Sequence, residues 1–433
     1  MELQFNIAPS TVMHIDLNSC FASIEQQANP LLRGKPIAVA AYDSPGGCIL
    51  APSIEAKTYG IKTGMRVFEG KALCPKLVIL PPDPRKYRDI HLKLRKLVSS
   101  YTDNFNPKSI DEFVLDLEGY PALERSIDPA SSCGMTQPKA AHLGGQAGRM
   151  WDTAREIKER VKSEIGEWLR VSIGIAANRF LAKVAAGIYK PDGLDEINAQ
   201  NFREVYAELA LTDLTGIAHR NAARLNKVGI YGVNDFYDAS ISRLKAAFGS
   251  INSLYWAMRL RGWEVDAVQQ TRRSYGNSYS LPKPFAARRD LCPILCKLVS
   301  KTGFRLRRAR LSASGVHIGI SYRDRSFWHH GVSFSEPMFD SRDLYKRAMM
   351  ILLQSGCTKS VHTLSVSVFG LSPIGAMQLS LFDDLPKKEA LVLSVDSVNK
   401  KWGEFTLISA NMLSARDYVP DRIAFGGVHE LEE

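Results

Sequence analysis

The stretch "SIDEFVLDL", Ser109–Leu117, places two adjacent carboxylates, Asp111 and Glu112, at the start of an otherwise apolar strand. An earlier stretch, "TVMHIDL" (Thr11–Leu17), has the pattern of a second strand and carries Asp16 near its end. If one sheet sets the two strands side by side, three carboxylates meet at one edge. Such a cluster repels itself unless cations neutralise it, and carboxylate oxygens suit Mg²⁺ or Mn²⁺. The alternative is that these are surface carboxylates at strand ends.

A metal site of this kind has a chemical use. Two ions roughly 3.5–4 Å apart stabilise both the attacking and the leaving oxygen of an in-line phosphoryl displacement. Side chains alternate between the faces of a strand, so Asp111 and Glu112 can serve one site only at a strand end or a twist. The sequence leaves that point open.

Strand and helix patterns follow one another in mixed order over the first half of the chain, which predicts an α+β fold. From Asn198 to about Arg261 the apolar period is almost entirely helical, and the polar stretch that follows resembles a tether. Strands and a basic helix return after it. The 433 residues suggest about three domains.

The charge balance favours a polyanionic partner. Lysine and arginine number 56 against 45 aspartates and glutamates, giving a net charge of +11 and a pI near 9.2. Nucleic acid is one such partner, and an ordinary basic soluble protein is the alternative. The seven cysteines are scattered, which indicates reduced thiols. Without a signal sequence or a membrane-spanning stretch we expect no membrane contact and a cytoplasmic location.

Five segments occur in a characteristic order: "HIDLNSCFASIEQQANP", "GCILAPSIEAKTYGIKTGM", "SIDEFVLDL", "VSIGIAANRFLAKVAAGIYKPDG" and "LTGIAHRNAARLNKVGI". In this order they resemble the Y-family translesion DNA polymerases, the group that contains bacterial DNA polymerase IV and UmuC. The resemblance covers roughly residues 11–371, and the segments with SIDE and KPDG are the most specific.

The resemblance implies a right-hand polymerase with palm, small fingers, a helical thumb and an α/β little finger domain. The implied boundaries are palm 1–27 and 87–197, fingers 28–86, thumb 198–263 with a helix-hairpin-helix, linker 264–273, little finger 274–372 and C-terminal tail 373–433.

The resemblance also assigns the chemical site. Asp16, Asp111 and Glu112 match the catalytic, metal-binding carboxylates, and the carbonyl of Leu17 adds a ligand. Two Mg²⁺ ions are implied, with Mn²⁺ as a substitute.

Other positions match groups that bind the incoming nucleotide. Phe21 falls at the steric gate, where an aromatic ring excludes the ribose 2′-hydroxyl; a core phenylalanine is the alternative. Lys190 in "KPDG" matches the lysine that holds the triphosphate. The chain has "SIEAK" where the family often has "SYEAR", so Ile54 replaces a tyrosine and Lys57 an arginine, and lysine cannot form a bidentate contact. Asn18 replaces an aspartate that is frequent in members like DNA polymerase IV.

Two segments are predicted to contact DNA. The hairpin "LTGIAHRNAARLNKVGI" offers backbone N–H groups to a phosphate through Gly216 and Ala218, although glycine is usual at the second position. A helix in the little finger carries a cluster of arginines, with a solvated basic face as the alternative. Its predicted DNA-binding residues are Arg305, Arg307, Arg308 and Arg310.

The segment "QLSLFDD" resembles the pentapeptide by which bacterial polymerases bind the sliding clamp. The residues concerned are Gln378, Leu379, Leu381 and Phe382. The tail beyond it resembles the extension of UmuC-type chains, so a partner like UmuD is a further possibility that the resemblance raises.

The predicted function is template-directed, low-fidelity translesion DNA synthesis in DNA damage tolerance, with primer-template DNA and dNTP as substrates. One alternative is a catalytically silent accessory protein bound to DNA and the clamp. The three retained carboxylates argue against it. A nucleotide cyclase on a similar palm is the other, and it would need neither the hairpin nor the basic helix.

Overall fold

The computed structural model describes residues 3–120, 146–267, 272–285, 287–356, 359–376, 384–421 and 431. The chain divides into two compact units, Met1–Val268 with Arg422–Glu433, and Gln269–Asp421. Both units combine helices with sheets, so the predicted α+β class is confirmed. Within the described residues, no helix has both the length and the apolar character needed to cross a bilayer.

The described strands of the first unit are β1 Val12–Leu17, β2 Ile37–Ala40, β3 Ile49–Pro52, β4 Val78–Leu80, β5 Phe105–Pro107, β6 Glu112–Asp116, β7 Val171–Ala176 and β8 Leu194–Ile197. Its described α-helices are α1 Cys20–Ala28, α2 Ile54–Thr58, α3 Val67–Leu73, α4 Pro84–Val98, α5 Gln146–Arg160, α6 Arg179–Ile188, α7 Phe202–Glu208, α8 His219–Lys227, α9 Val233–Asp238, α10 Ile241–Phe248 and α11 Asn252–Arg259.

The central sheet of this unit has the strand order β5-β6-β1-β7-β8. Strand β1 is antiparallel to both β6 and β7, and β7 is parallel to β8. Because side chains alternate, Met13 and Ile15 face a core formed with α1 and α4, while His14 and Asp16 belong to the opposite face. Helix α6 packs on that opposite face. It approaches so closely that a Cβ on Gly174 would lie 2.1 Å from the Ala182 carbonyl oxygen.

A smaller sheet in the same unit has the order β3-β2-β4, with β2 antiparallel to β3 and parallel to β4. Helices α2 and α3 contribute Ala56 and Val67 to its core. The segment α7–α11 is helical, as its apolar period predicts, and packs around a core that includes Phe236 and Trp256.

The described strands of the second unit are β9 Ser274–Phe285, β10 Leu311–Tyr322, β11 Phe327–Met338 and β12 Val361–Pro373. Its α-helices are α12 Arg288–Arg308, α13 Ser341–Gln354 and α14 Leu385–Trp402. The strands form one antiparallel sheet in the order β11-β10-β12-β9. Leu295 of α12 and Leu352 of α13 belong to the core on one face of this sheet.

The C-terminal segment, to which the sequence assigned no role, completes this core. Ala415 and Val419 are buried with the sheet and the helices. The Lys297 ammonium, 6% exposed, donates hydrogen bonds to the carbonyls of Arg416 at 2.7 Å and Tyr418 at 2.5 Å. Residues 403–421, which follow α14, are therefore an integral part of the second unit.

Candidate active site

The carboxylates predicted from the sequence lie at one edge of the central sheet of the first unit. Asp16 on β1 is directly opposite Glu112, the first residue of β6. Asp111 lies in a bend just before β6, where its carbonyl accepts a hydrogen bond from the Leu17 N–H at 2.9 Å. Because Asp111 precedes the strand, the alternation of faces does not impose an opposite direction on it. The strand end thus allows both carboxylates to serve one site.

Burial and mutual repulsion act on the two aspartates. Burial raises the pKa of Asp16, and the neighbouring Lys190 ammonium opposes that rise. Burial also raises the pKa of Asp111; the Ser109 hydroxyl, which donates to its Oδ1 at 2.5 Å, lowers this pKa, and the charges of Asp16 and Glu112 raise it further. A bound cation would relieve this repulsion, so the carboxylates have the electrostatics of a cation site.

Two lysines contact the cluster. Lys190 Nζ lies 2.7 Å from Asp16 Oδ2. Lys183 Nζ lies 2.8 Å from Glu112 Oε1 and 2.6 Å from Oε2. Lys190 was predicted from the sequence, whereas Lys183 was not. The available signal was a single charge within an otherwise apolar stretch of α6, where the neighbouring Leu181, Ala182, Val184 and Ala185 are all buried.

His14 is a second residue that the sequence analysis missed. It lies two positions before Asp16 on the same face of β1 and is 1% exposed. Its Nε2 is 4.0 Å from Glu112 Oε2, and neither ring nitrogen has a hydrogen-bond partner among the described residues. Burial, reinforced by Lys183 and Lys190, lowers the pKa of His14 to about 3. The imidazole is therefore neutral at neutral pH.

The donor set fits a divalent metal ion. One ligand atom from each of His14, Asp16 and Glu112 can be chosen so that all three lie within 4.8 Å of one another. The carboxylate oxygens are ligands of the kind that Mg²⁺ and Mn²⁺ prefer. Asp111 lies outside this group of three, but it is near enough for the charges of Asp16 and Glu112 to raise the pKa of its carboxyl.

Of the predicted nucleotide-binding residues, Lys57 lies near this cluster. Burial lowers the pKa of the Lys57 ammonium, Lys190 lowers it further, and Asp16 opposes the change, so the three charges are close enough to interact. Ile54 is the first residue of the same helix, α2. Phe21 on α1 is 3% exposed, and its ring stacks on Tyr87 with centroids 4.3 Å apart.

The predicted hairpin lies before α8. Gly216 has φ +96°, a conformation that favours glycine, and its carbonyl accepts a hydrogen bond from Asn221 Nδ2 at 3.0 Å. Ala218 caps α8 with φ −90°. This conformation does not require glycine, so the alanine introduces no backbone strain.

One predicted DNA-binding residue of the basic helix α12 is buried. Arg307 does not face solvent as a DNA contact would: its side chain is 5% exposed and forms a bidentate ion pair with Asp396 at 2.7 and 2.8 Å. It also donates to the Phe339 carbonyl at 2.9 Å. The prediction that Arg307 contacts DNA is therefore wrong, because Asp396 of α14 binds its guanidinium.

The other three arginines differ from Arg307. Arg305 is half-buried and donates to the Gly276 carbonyl at 2.9 Å. Arg308 and Arg310 are exposed at the end of α12 and just beyond it, with the Arg310 side chain 77% exposed.

The outer face of the second unit's sheet was not singled out from the sequence. Registers and burial place small, hydroxyl-bearing and imidazole side chains on it, together with two phenylalanines, and none of these positions carries a carboxylate. They are Ser274, Gly276, Ser278, Ser280, Gly315, His317, Gly319, Ser321, Phe327, His329, Gly331, Ser333, Thr363, Ser365, Ser367 and Phe369.

The predicted clamp-binding residues lie outside the described residues. They are Gln378, Leu379, Leu381 and Phe382.

Two family models match the chain. Residues 15–187 match the impB/mucB/samB family, and residues 272–381 match the impB/mucB/samB family C-terminal domain. Among curated proteins, DNA polymerase IV 1 of Bacillus subtilis is 28% identical over 401 residues, covering 90% of each chain. DNA polymerase IV of Moorella thermoacetica is 29% identical over 404 residues, covering 91% of this chain and 94% of the relative.

Solved structures are similar as well. A chimeric Y-family DNA polymerase superposes with a TM-score of 0.70 at 22% identity, covering 84% of this chain and 99% of that one. An insertion ternary complex of Dbh DNA polymerase gives a TM-score of 0.56 at 21% identity, with the same coverage of both chains. At these identities the likeness concerns the fold.

Proposed function

Because the chain belongs to the impB/mucB/samB family, the Y-family translesion DNA polymerases, and is thus a DNA-directed DNA polymerase with their right-hand fold, we propose that its carboxylate cluster performs the chemistry. The reaction adds a deoxynucleotide to a primer 3′-hydroxyl with release of pyrophosphate. The observation that carries the proposal is the convergence of Asp16, Asp111 and Glu112 at one sheet edge.

Asp16, Asp111 and Glu112, with the carbonyl of Leu17, would hold two Mg²⁺ ions, and Mn²⁺ could replace them. When bound, these ions lower the pKa of the primer hydroxyl and stabilise the charge of the departing pyrophosphate. The carboxylates serve as ligands in their ionised form. Because burial raises the pKa of Asp16 and Asp111 before a cation binds, protons should compete with Mg²⁺ at a higher pH than they do at ordinary carboxylates.

Lys190 and Lys57 would bind the triphosphate of the incoming nucleotide. Both ammonium groups interact with the charge of Asp16, which supports a position beside the reacting phosphates. Phe21 would act as the steric gate against ribonucleotides. Neither lysine can form the bidentate contact of an arginine, so nucleotide binding relies on charge more than on geometry.

Primer-template DNA would contact the hairpin at Gly216 and Ala218 in the first unit and, in the second unit, the exposed Arg308 and Arg310 and the half-buried Arg305. The described outer-face positions of the second unit's sheet named above carry no carboxylate, which makes them compatible with phosphates as well. Through Gln378, Leu379, Leu381 and Phe382 the chain would bind a bacterial sliding clamp, and a UmuD-like protein remains a candidate partner. The biological role would be copying past damaged template bases.

Primer extension by carboxylate variants tests the proposal. We expect Asp111→Ala and Glu112→Ala to lower single-nucleotide insertion by on the order of a thousandfold, because each removes a cation ligand. Glu118→Ala is the matched control, since this exposed residue lies just beyond the same strand. Insertion that survives both site changes would refute the mechanism. DNA binding by the unaltered protein without any insertion would instead favour the accessory protein.

A further inference from the structure

Asn18 lies at the centre of a buried hydrogen-bond network that joins the end of β1 to the loop carrying Lys190. Asn18 is 3% exposed, and its Oδ1 accepts a hydrogen bond from the Asp192 N–H at 2.7 Å. Its Nδ2 lies 3.0 Å from Ser172 Oγ, which in turn accepts from the Gly193 N–H at 3.2 Å. The network therefore spans from β1 through β7 to the loop.

The loop conformation needs fixed partners. Asp192 has φ +60°, in the left-handed region that residues with a side chain rarely adopt. Besides the bond to Asn18, Lys158 Nζ donates to the carbonyls of Asp192 at 2.5 Å and Gly193 at 3.2 Å. The Asp192 carboxylate also pairs with Lys158 at 3.0 Å. Asn18 is the partner that connects this loop to the strand bearing the catalytic carboxylate.

The two ends of this connection are the groups that meet at the site. Asn18 follows Asp16 by two residues, and Asp192 follows Lys190 by two residues. Lys190 Nζ is 2.7 Å from Asp16 Oδ2, and the lysine side chain is 40% exposed. A shift of the loop would move the Lys190 ammonium relative to the carboxylates. Because the lysine side chain is partly exposed, its position depends on the position of the loop backbone.

We propose that Asn18 is a positioning residue for the incoming nucleotide: its bond to the Asp192 N–H fixes Lys190 at a set distance from the carboxylates and so sets the affinity for dNTP. This inference rests on the proposed function and deepens it. The acceptor oxygen is the essential feature, and aspartate offers the same acceptor in the same place. Leucine has a similar volume and offers none.

Steady-state insertion of one nucleotide tests the role. We expect Asn18→Leu to raise the KM for dNTP roughly tenfold, the effect of an unpaired buried N–H and a displaced lysine, with kcat changed less than about twofold. Asn18→Asp should restore KM to within about twofold of the original. Ser172→Ala removes the hydroxyl between Asn18 and the Gly193 N–H, so it should raise KM in the same direction by less.

A double-mutant cycle separates positioning from general damage. If Asn18 acts through Lys190, then Asn18→Leu should raise KM no further in the Lys190→Met background. An equal rise in both backgrounds would overturn the proposal, as would an unchanged KM in Asn18→Leu alone. Should Asn18→Leu fail to fold, Ser172→Ala in both backgrounds gives the same test. Asp111→Ala, measured alongside, tests the proposed function separately, because the Asp111 side chain is not part of the hydrogen-bond network of Asn18.

Discussion

Ion pairs of nearly equal length occur in the two units and differ in what surrounds them. In the first unit Lys190 meets Asp16 at 2.7 Å, and the lysine side chain is 40% exposed. In the second unit Arg307 meets Asp396 at 2.7 Å, with side chains only 5% and 16% exposed. The exposed ammonium can leave its partner for another anion and be solvated. The buried guanidinium cannot leave its partner in this way, because removing one partner leaves an unpaired charge in the interior. Exposure, more than distance, separates a site from a structural pair.

The same change at the two carboxylates should give opposite results, and this is the largest effect expected. Asp16→Ala should lower nucleotide insertion by on the order of a thousandfold, with little change in the free energy of unfolding. Asp396→Ala should destabilise the second unit by about 3 kcal/mol, because it leaves Arg307 buried without a counter-charge. Denaturant unfolding and primer extension, both measured on each variant, provide the comparison.

Each variant also serves as the control for the other. Insertion by Asp396→Ala should stay near the original rate at a temperature where the variant remains folded. If Asp16→Ala destabilises the protein as much as Asp396→Ala, the distinction drawn from exposure is wrong.

The buried His14 of the first unit should make the free energy of unfolding depend on pH. Burial holds the pKa of His14 at about 3 in the folded protein, against about 6.5 when unfolded. Above pH 6.5 both states are neutral, and as pH falls below 6.5 only the unfolded state takes up the proton. Stability therefore falls on acidification, by about 2 kcal/mol between pH 7 and pH 5 from this group.

The difference in unfolding free energy between wild type and His14→Gln isolates this contribution. We expect the variant to lose the His14 part of the pH dependence, whereas His362→Gln, at an exposed position, should keep it. A parallel pH profile for His14→Gln and wild type would show that His14 takes up its proton equally in both states.

The smallest effect concerns the salt dependence of DNA binding by the arginines of the second unit. Arg308→Gln and Arg310→Gln should each reduce the slope of log affinity against log salt by about 0.9 per lost phosphate contact. Arg307→Met should leave the slope unchanged, because that guanidinium is held by Asp396. Fluorescence anisotropy with duplex DNA over a salt series measures the slopes of all three variants. A reduced slope for Arg307→Met would indicate that Arg307 does contact DNA.

The sequence predicted the parts of the structure that depend on local pattern. Strand patterns around Asp16 and Glu112 led to a shared sheet edge, and the helical period predicted the segment α7–α11. What it could not predict depends on long-range pairing. The partner of Arg307 lies 89 residues further along the chain, and Lys183 is 71 residues from Glu112. No spacing rule connects such residues until the sheet order and the helix packing are known.

His14 illustrates a different limit. Its position two residues before Asp16 predicts the same face of the strand. Whether that face is exposed to solvent depends on α6, which packs against Gly174 and lies far downstream in the sequence. The charge state of the imidazole therefore follows from packing that the local sequence does not contain.

The order in which the second unit is synthesised adds a kinetic consequence. Its four described strands leave the ribosome before Ala415 and Val419, which complete the core, and before Arg416 and Tyr418, whose carbonyls bind Lys297. Until those residues emerge, the nascent sheet and helices carry an open apolar surface and an unbound ammonium. Chaperone contact during translation should accordingly concentrate on the second unit. By then most core residues of the first unit have already been synthesised.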